Sequence, residues 1–100
     1  METKITTSGG QTLVVISGRL DTTTVESFQE QIEPLMDEGI KDIVMDCGEL
    51  TYISSSGMRL LLTLQKSVVT RKGKMVLKNL SDGIKSVFYM TGFTAIFKIE

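Results

Sequence analysis

The sequence of 100 residues has no histidine, no tryptophan, one cysteine and one proline. Without histidine it cannot build a Ser-His-Asp or Cys-His arrangement, because both use an imidazole as the base. The single Cys47 cannot form an intramolecular disulfide, and the missing histidines also exclude most zinc sites. Neither the G-x-S-x-G motif nor a P-loop is present. We therefore expect a structural thiol at Cys47, no enzymatic activity and no cofactor.

Excess charge of one sign and long apolar runs are missing too. The formal net charge is -1, and no basic stripe with interleaved aromatics occurs, so we expect no nucleic-acid partner. The apolar runs are shorter than the ~20 residues of a membrane span, and METKITTSGG lacks the pattern of a signal peptide. We expect a cytoplasmic domain without membrane insertion. At this length, with 41% hydrophobic residues, one domain over residues 1–100 is predicted.

Hydrophobic patterning predicts an opening hairpin followed by alternating helices and strands. A weak strand at Glu2–Thr7 and an apolar run at 12–18 flank the turn Ser8–Gln11, whose two glycines can take positive φ. Later strands are predicted at 41–47, 74–79 and 94–100, with helices over 21–39, 54–73 and 80–92. This alternation is typical of successive βα units. We therefore expect an α/β fold with a mostly parallel sheet of four to five strands.

The first predicted helix has clear signals at both ends. Thr23 with Glu26 matches a capping box, and Asp21 or Thr22 is an alternative cap. Pro34 removes a backbone hydrogen bond, so it should kink or shorten the last turn.

The next strand and helix also carry specific predictions. Residues 41–47 form a near-continuous apolar run, the pattern of a parallel strand that is covered on both faces. The helix after it should end at Arg71 and Lys72, with Gly73 as a glycine C-cap. Its apolar face is predicted to comprise Met58, Leu61, Leu62, Gln65, Val68 and Val69.

Three consecutive serines and a glycine, residues 54–57, precede this second helix. One serine is explained as an N-cap, which contributes about 1 kcal/mol. Three hydroxyls followed by a glycine exceed that structural need, and they fall after the carboxyl end of a strand, where α/β folds place ligands and switches. Since a helix N-terminus stabilises an anion, the pattern indicates a phosphoacceptor whose phosphate changes a partner surface and leaves the fold intact.

Four segments carry a family resemblance in family order and cover nearly the whole chain: VVISGRLDTTTV, IVMDCGELTYISSSGMRLLL, KGKMVLKNLSDGIKSVF and YMTGFTAIF. In these segments the chain resembles the STAS domain, and specifically the stand-alone bacterial anti-sigma factor antagonists. The resemblance implies a domain that binds an anti-sigma factor with serine kinase activity and thereby frees a sigma factor. It also implies that phosphorylation of one serine abolishes this binding and that a serine phosphatase restores it.

The resemblance assigns the serines residue by residue. The family order is Asp, phosphorylated Ser, Ser or Thr, then Gly, which falls on Ser54, Ser55, Ser56 and Gly57. Ser55 is therefore the implied phosphoacceptor. Because Ser54 replaces the family's aspartate, three possibilities stay open: the kinase reads a different pattern, Ser54 is an alternative acceptor, or the site is no longer phosphorylated.

Other side chains near the serines have both structural and functional interpretations. Asp21 and Asp46 follow predicted strands whose ends should lie near the serines; Asp21 is either a cap or a partner contact, and a hydrogen bond to the following turn is favoured for Asp46. Met58 is expected in the core, and Arg59 is expected in solvent, in contact with the partner or paired with a phosphate. The implied partner-binding residues are Asp21, Ser54, Ser56, Gly57, Met58 and Arg59.

One alternative function uses the same surface. A STAS module that is not phosphorylated could dock a transporter complex or a signalling scaffold. Incorporation of phosphate at Ser55 distinguishes the two hypotheses, because the docking module predicts none.

Overall fold

Five strands and three α-helices alternate along the chain in the computed structural model, which describes residues 1–100. The strands are β1 (Glu2–Ser8), β2 (Gln11–Leu20), β3 (Asp42–Ile53), β4 (Lys74–Lys78) and β5 (Lys98–Ile99), and the helices are α1 (Val25–Gln31), α2 (Ser55–Thr70) and α3 (Asp82–Met90). The sheet order is β1-β2-β3-β4-β5, with β1 antiparallel to β2 and the other pairs parallel. The predicted α/β fold with its opening hairpin is confirmed.

Two glycines make the hairpin turn. Gly9 has φ 58° and Gly10 has φ 81°, so both central residues are left-handed, as a type I′ turn requires. The turn joins Ser8 directly to its partner Gln11, and the pairing continues without a register shift to Glu2 opposite Ser17.

The helices cover one face of the sheet only. Alternate strand residues on that face, such as Ile16, Ile43 and Met45, are buried in one core cluster together with helical residues. On the other face Leu13 is exposed and Val44 is half-buried. The prediction that strand 41–47 is covered on both faces is therefore wrong. Val44 lies on the face that no helix covers, where its cross-strand neighbours shield it in part. Because Val44 is apolar, the sequence of this strand does not show the usual alternation of buried apolar and exposed polar residues.

The first helix is shorter than predicted. α1 ends at Gln31, and a separate 3-10 helix with Pro34 in its first turn follows at Glu33–Met36. The predicted effect of Pro34 is confirmed, since proline fits a first helical turn and not an interior one.

The end of α2 differs from the prediction. Lys72, and not Gly73, takes the left-handed conformation, with φ 62°. Gly73 is required for space, because a Cβ there would lie 2.3 Å from the Lys41 carbonyl oxygen. The guanidinium of Arg71 donates to the carbonyl oxygens of Leu35 and Ile40, which ties the end of α2 to the segment before β3. The apolar face of α2 also differs from the predicted one: Leu60 is buried, whereas Val69 is exposed.

The C-terminal strand is also shorter than predicted. α3 ends before Gly92, which has φ 78°, and a 3-10 helix at Phe93–Ala95 follows. Phe97 then turns into the core and packs edge-on against Phe88, with 5.5 Å between the ring centroids. Strand pairing is consequently limited to Lys98–Ile99.

We predict that Gly73→Ala destabilises the fold by about 2–4 kcal/mol, because the added Cβ would require the backbone at Lys41 to move. Gly83→Ala is the matched control: nothing lies within 4 Å of its Cβ position, so alanine should stabilise α3 by up to about 1 kcal/mol. Urea unfolding measures both values. Equal stability of Gly73→Ala and the parent would contradict the packing described for this junction.

Candidate functional site

The loops after β2 and β3 are joined at the carboxyl-terminal edge of the sheet. Leu20 and Ile53, the last residues of the two strands, are paired in the parallel ladder. The N–H of Ser54 then donates to the carbonyl of Leu20 at 2.8 Å. Asp21 is thereby brought beside the serines, as the sequence predicts.

The three serines have different roles in the local structure. Ser54 is the N-cap of α2, and its Oγ accepts a hydrogen bond from the N–H of Gly57 at 3.2 Å. The Oγ of Ser56 lies 2.9 Å from the Oγ of Ser54, so these two hydroxyls are paired. Ser55 is exposed, and its hydroxyl takes part in none of the hydrogen bonds of the chain. Of the three serines, only Ser55 has a hydroxyl without a hydrogen bond to the rest of the chain.

Gly57 allows α2 to approach the end of β2. A Cβ at Gly57 would lie 2.6 Å from Cγ of Leu20, so a larger residue would push the helix away. The next residue, Met58, is buried as predicted, and its sulfur accepts a hydrogen bond from the Thr91 hydroxyl at 3.7 Å. The first turn of α2 is therefore packed between the end of β2 and the end of α3.

Asp21 organises the β2–α1 loop. Its carboxylate accepts hydrogen bonds from the hydroxyl of Thr23 at 2.6 Å and from the N–H of Thr23 at 2.9 Å. These bonds, with smaller contributions from Arg19 and Thr24, lower the pKa of Asp21 to about 2. The predicted capping box of Thr23 with Glu26 does not form. The N-cap is Thr24, and its hydroxyl caps no N–H of the helix, because it donates to the carbonyl of Arg19 at 2.7 Å and accepts from the N–H of Asp21 at 2.9 Å.

Arg19 and Tyr52 complete the surface, and the sequence analysis missed both. The guanidinium of Arg19 lies 4.3 Å from the centroid of the Tyr52 ring, and its Nε lies 3.4 Å from a carboxylate oxygen of Asp21. The two residues are direct partners in the β2–β3 ladder. Only the strand register could have revealed them. Exposed arginine and tyrosine are enriched among the residues that dominate binding energy at interfaces.

Asp46 is not part of this surface, so the prediction that places it near the serines is wrong. β3 continues from Asp46 to Ile53, and at ~3.3 Å per residue this leaves roughly 25 Å between Asp46 and Ser54. The favoured hydrogen bond forms, but its partner lies in the strand and not in a turn: the N–H of Gly48, inside β3, donates to Asp46 at 3.0 Å, and the amide of Asn79 donates at 3.1 Å. Both bonds lower the pKa of Asp46.

Cys47 is buried beside Asp46, and burial raises the pKa of its thiol to about 12. The thiol is protonated at neutral pH, which supports the structural interpretation. No group of three or more His, Cys, Asp or Glu side chains is placed to hold a metal ion. None of the helices combines the length and the apolar character that crossing a membrane requires.

The serines lie on an open surface. The largest depression on the molecule, about 500 Å³, is lined mainly by α3 residues and by none of the serines. Arg59, one helical turn after Ser55, is exposed and forms no ion pair in the chain. This geometry fits contact with a macromolecule better than enclosure of a small ligand.

Comparison with known proteins gives relatives of similar size. A candidate anti-sigma factor antagonist of Bordetella bronchiseptica, BtrV, is 30% identical over 90 residues, which are 90% of this chain and 78% of that protein. An anti-sigma-B factor antagonist of Staphylococcus aureus is 26% identical over 87 residues, 87% of this chain and 81% of that protein.

Solved structures share the fold. A candidate anti-sigma factor antagonist of Thermotoga maritima superimposes with a TM-score of 0.89 at 15% identity, over 97% of this chain and 84% of that one. The phosphorylated form of the Bacillus protein SpoIIAA gives a TM-score of 0.74 at 21% identity, over 99% and 91% of the two chains. The family model described as the STAS domain matches residues 2–100. The chain belongs to the STAS domain family.

Proposed function

We propose that this protein is an anti-sigma factor antagonist that is switched by phosphorylation. It binds an anti-sigma factor with serine kinase activity through Asp21, Ser54 and the first turn of α2 at Ser56–Arg59, and so releases a sigma factor. Phosphorylation of Ser55 stops this binding, and a serine phosphatase restores it. The proposal places the protein in the cytoplasm as a regulator without enzymatic activity. The names of its relatives support the class of partner.

The free hydroxyl of Ser55 is the observation that carries the proposal. Ser54 is held as the helix cap and Ser56 is paired with it, whereas Ser55 is exposed and unbonded. A kinase can reach the Ser55 hydroxyl without breaking a hydrogen bond of the domain. Phosphorylation of Ser54 would instead require its hydroxyl to leave the Gly57 N–H and the Ser56 hydroxyl. Three possibilities followed from the serine at position 54. We therefore favour the first, a kinase that recognises Ser54 in place of aspartate and phosphorylates Ser55.

Ser54 can replace the family's aspartate structurally, but not in charge. Both residue types are good N-caps, so the geometry of α2 is preserved. The negative charge of the surface comes instead from Asp21, which stays ionised because its pKa is about 2. The domain has no histidine to act as a base, so the kinase must supply the catalytic groups.

A phosphate on Ser55 would alter the surface and leave the fold intact. The N–H groups of the first helical turn have no acceptors within the helix and stabilise an anion at its N-terminus. Arg59 lies four residues further on, at a spacing that places two side chains next to each other on a helix, so its free guanidinium can pair with the phosphate. About two added negative charges beside Asp21 would then change the charge of this surface and raise the cost of desolvating it when a partner binds.

The presence of Ser54 in place of aspartate also supports a second candidate, a STAS module that docks without phosphorylation to a transporter complex or a signalling scaffold. The candidates differ in one respect that can be measured: only the antagonist responds to ATP in the presence of the kinase.

We expect Ser55→Ala to bind its kinase-type anti-sigma factor with and without ATP, whereas the parent loses binding once ATP is added. Ser55→Asp should bind at least about tenfold more weakly than the parent without ATP, equivalent to ~1.4 kcal/mol. Titration calorimetry against the anti-sigma factors encoded in the same genome measures these affinities.

Gln11→Glu is the control for added charge. Gln11 is exposed at the start of β2, at the end of the strand opposite to Leu20, so this variant should bind like the parent. If the parent binds a partner and ATP changes nothing, the docking module is the correct function. If both Ser55 variants respond to ATP like the parent, the switch lies at another residue.

We predict that Thr23→Ala raises the pKa of Asp21 from about 2 towards 3.8, because the two strongest hydrogen bonds to the carboxylate come from Thr23 and one of them is its hydroxyl. Thr22→Ala is the matched control, since Thr22 donates no hydrogen bond to Asp21. Carboxyl carbon shifts in an NMR titration report both values.

The sign of the pH effect follows from the lowered pKa. The ionised carboxylate of Asp21 stabilises the folded state at pH values above 3.8, the pKa expected in the unfolded chain. This contribution to the free energy of unfolding is lost as the pH falls towards the folded-state pKa of about 2. An unchanged titration of Asp21 in Thr23→Ala would show that Thr23 does not hold the loop.

A further inference from the structure

The outer edge of β1 has no partner in the sheet. β1 is seven residues long, pairs only with β2, and contains neither a proline nor a register shift. Natural edge strands are usually shortened, kinked by a bulge, interrupted by proline, covered by another element or given charged side chains, especially lysine. β1 has only the last of these devices, in Glu2 and Lys4, and its backbone groups stay accessible for pairing.

The hairpin turn determines which backbone groups of β1 point outward. In a hairpin with a two-residue type I′ turn, Ser8 and Gln11 form a hydrogen-bonded pair. Hydrogen-bonded and non-hydrogen-bonded pairs alternate along an antiparallel ladder. The N–H and C=O groups of Thr3, Ile5 and Thr7 therefore point away from β2. The outer edge of β1 therefore carries three unpaired N–H donors and three unpaired C=O acceptors along the strand.

We infer that β1 pairs antiparallel with β1 of a second copy of this chain, with Ile5 on the two-fold axis. In this register Thr3 faces Thr7 of the second copy, and the three outward residues of each copy exchange six backbone hydrogen bonds. The two sheets become one sheet of ten strands. The association is independent of the proposed antagonist function.

The side chains of β1 complement their own copy. Ile5 is 37% exposed on the helix-bearing side of the edge, and in the dimer it covers its symmetry mate. Lys4 faces Thr6 and Glu2 faces Ser8, so no like charges are directly opposite. Moving the axis to Lys4 would place Lys4 opposite Lys4, which is unfavourable, and moving it to Thr6 would leave Glu2 and Thr3 without partners in β1 of the second copy. The sequence therefore favours the register that also pairs the whole strand.

The dimer leaves both switch surfaces accessible. Ser55 follows β3 at the carboxyl-terminal edge of the sheet, and the β2 strands of the two copies run in opposite directions. The two Ser55 hydroxyls then lie at opposite ends of the ten-stranded sheet. One dimer can bind two partner molecules independently.

Disulfide trapping tests the register. Ile5→Cys places two thiols opposite each other, so mild oxidation should convert the protein to a covalent species of twice the 11.0 kDa chain mass. In Thr7→Cys the equivalent residues are roughly 14 Å apart across the axis, too far for a disulfide. The native Cys47 contributes little background, since it is buried.

Light scattering with charge variants tests the association itself. The parent should run at twice the chain mass at millimolar concentration, Ile5→Lys and Ile5→Glu should each run as monomers, and their mixture should regain the dimer mass. A parent that stays at 11.0 kDa at this concentration would overturn the inference. The register would be overturned by either of two results. One is that Ile5→Cys and Thr7→Cys form the disulfide-linked dimer to the same extent, and the other is that Ile5→Lys and Ile5→Glu each form dimers when measured separately.

Discussion

The hydrogen bond from the Ser54 N–H to the Leu20 carbonyl is the constraint on which the proposed partner surface depends. It joins two loops that are more than thirty residues apart in the sequence, and the absent side chain of Gly57 lets α2 settle against Leu20. With both contacts in place, the carboxylate of Asp21, the Arg19–Tyr52 pair and the start of α2 share one edge of the sheet. A residue larger than glycine at position 57 would separate the elements that make up this surface.

In the proposed function, structural and regulatory roles fall to different serines. Ser54 accepts a hydrogen bond from the N–H of Gly57 at the start of α2, and the hydroxyl of Ser56 forms a hydrogen bond with that of Ser54. Ser55 is consequently not needed for the fold, so a phosphate on it can change binding without unfolding the domain. The surface also retains a fixed negative charge, because Thr23 keeps Asp21 ionised well below neutral pH. Under the proposed function, a phosphate on Ser55 would be added to a surface that carries a negative charge at Asp21 and a positive charge at Arg59.

Much of the fold could be predicted from the sequence because its signals are local. Glycines at 9 and 10 specify the hairpin, and Pro34 divides the first helical segment. The errors arose where a non-local contact decides the outcome. Gly73 fits a C-cap pattern, but the nearby Lys41 carbonyl is the reason for glycine. The extension of β3 past Asp46 depends on pairing with β2, which no local pattern indicates, and the same pairing hid the contact between Arg19 and Tyr52.

The central claim is that Ser54 caps the helix while Ser55 accepts the phosphate. The most direct test is to incubate the intact protein with ATP and a kinase-type anti-sigma factor from the same genome, and to locate the added phosphate by fragment mass spectrometry. The account predicts one phosphate, on Ser55, with Ser54 and Ser56 unmodified. Phosphate on Ser54 would contradict this division of roles, because the cap of α2 would then itself be the acceptor.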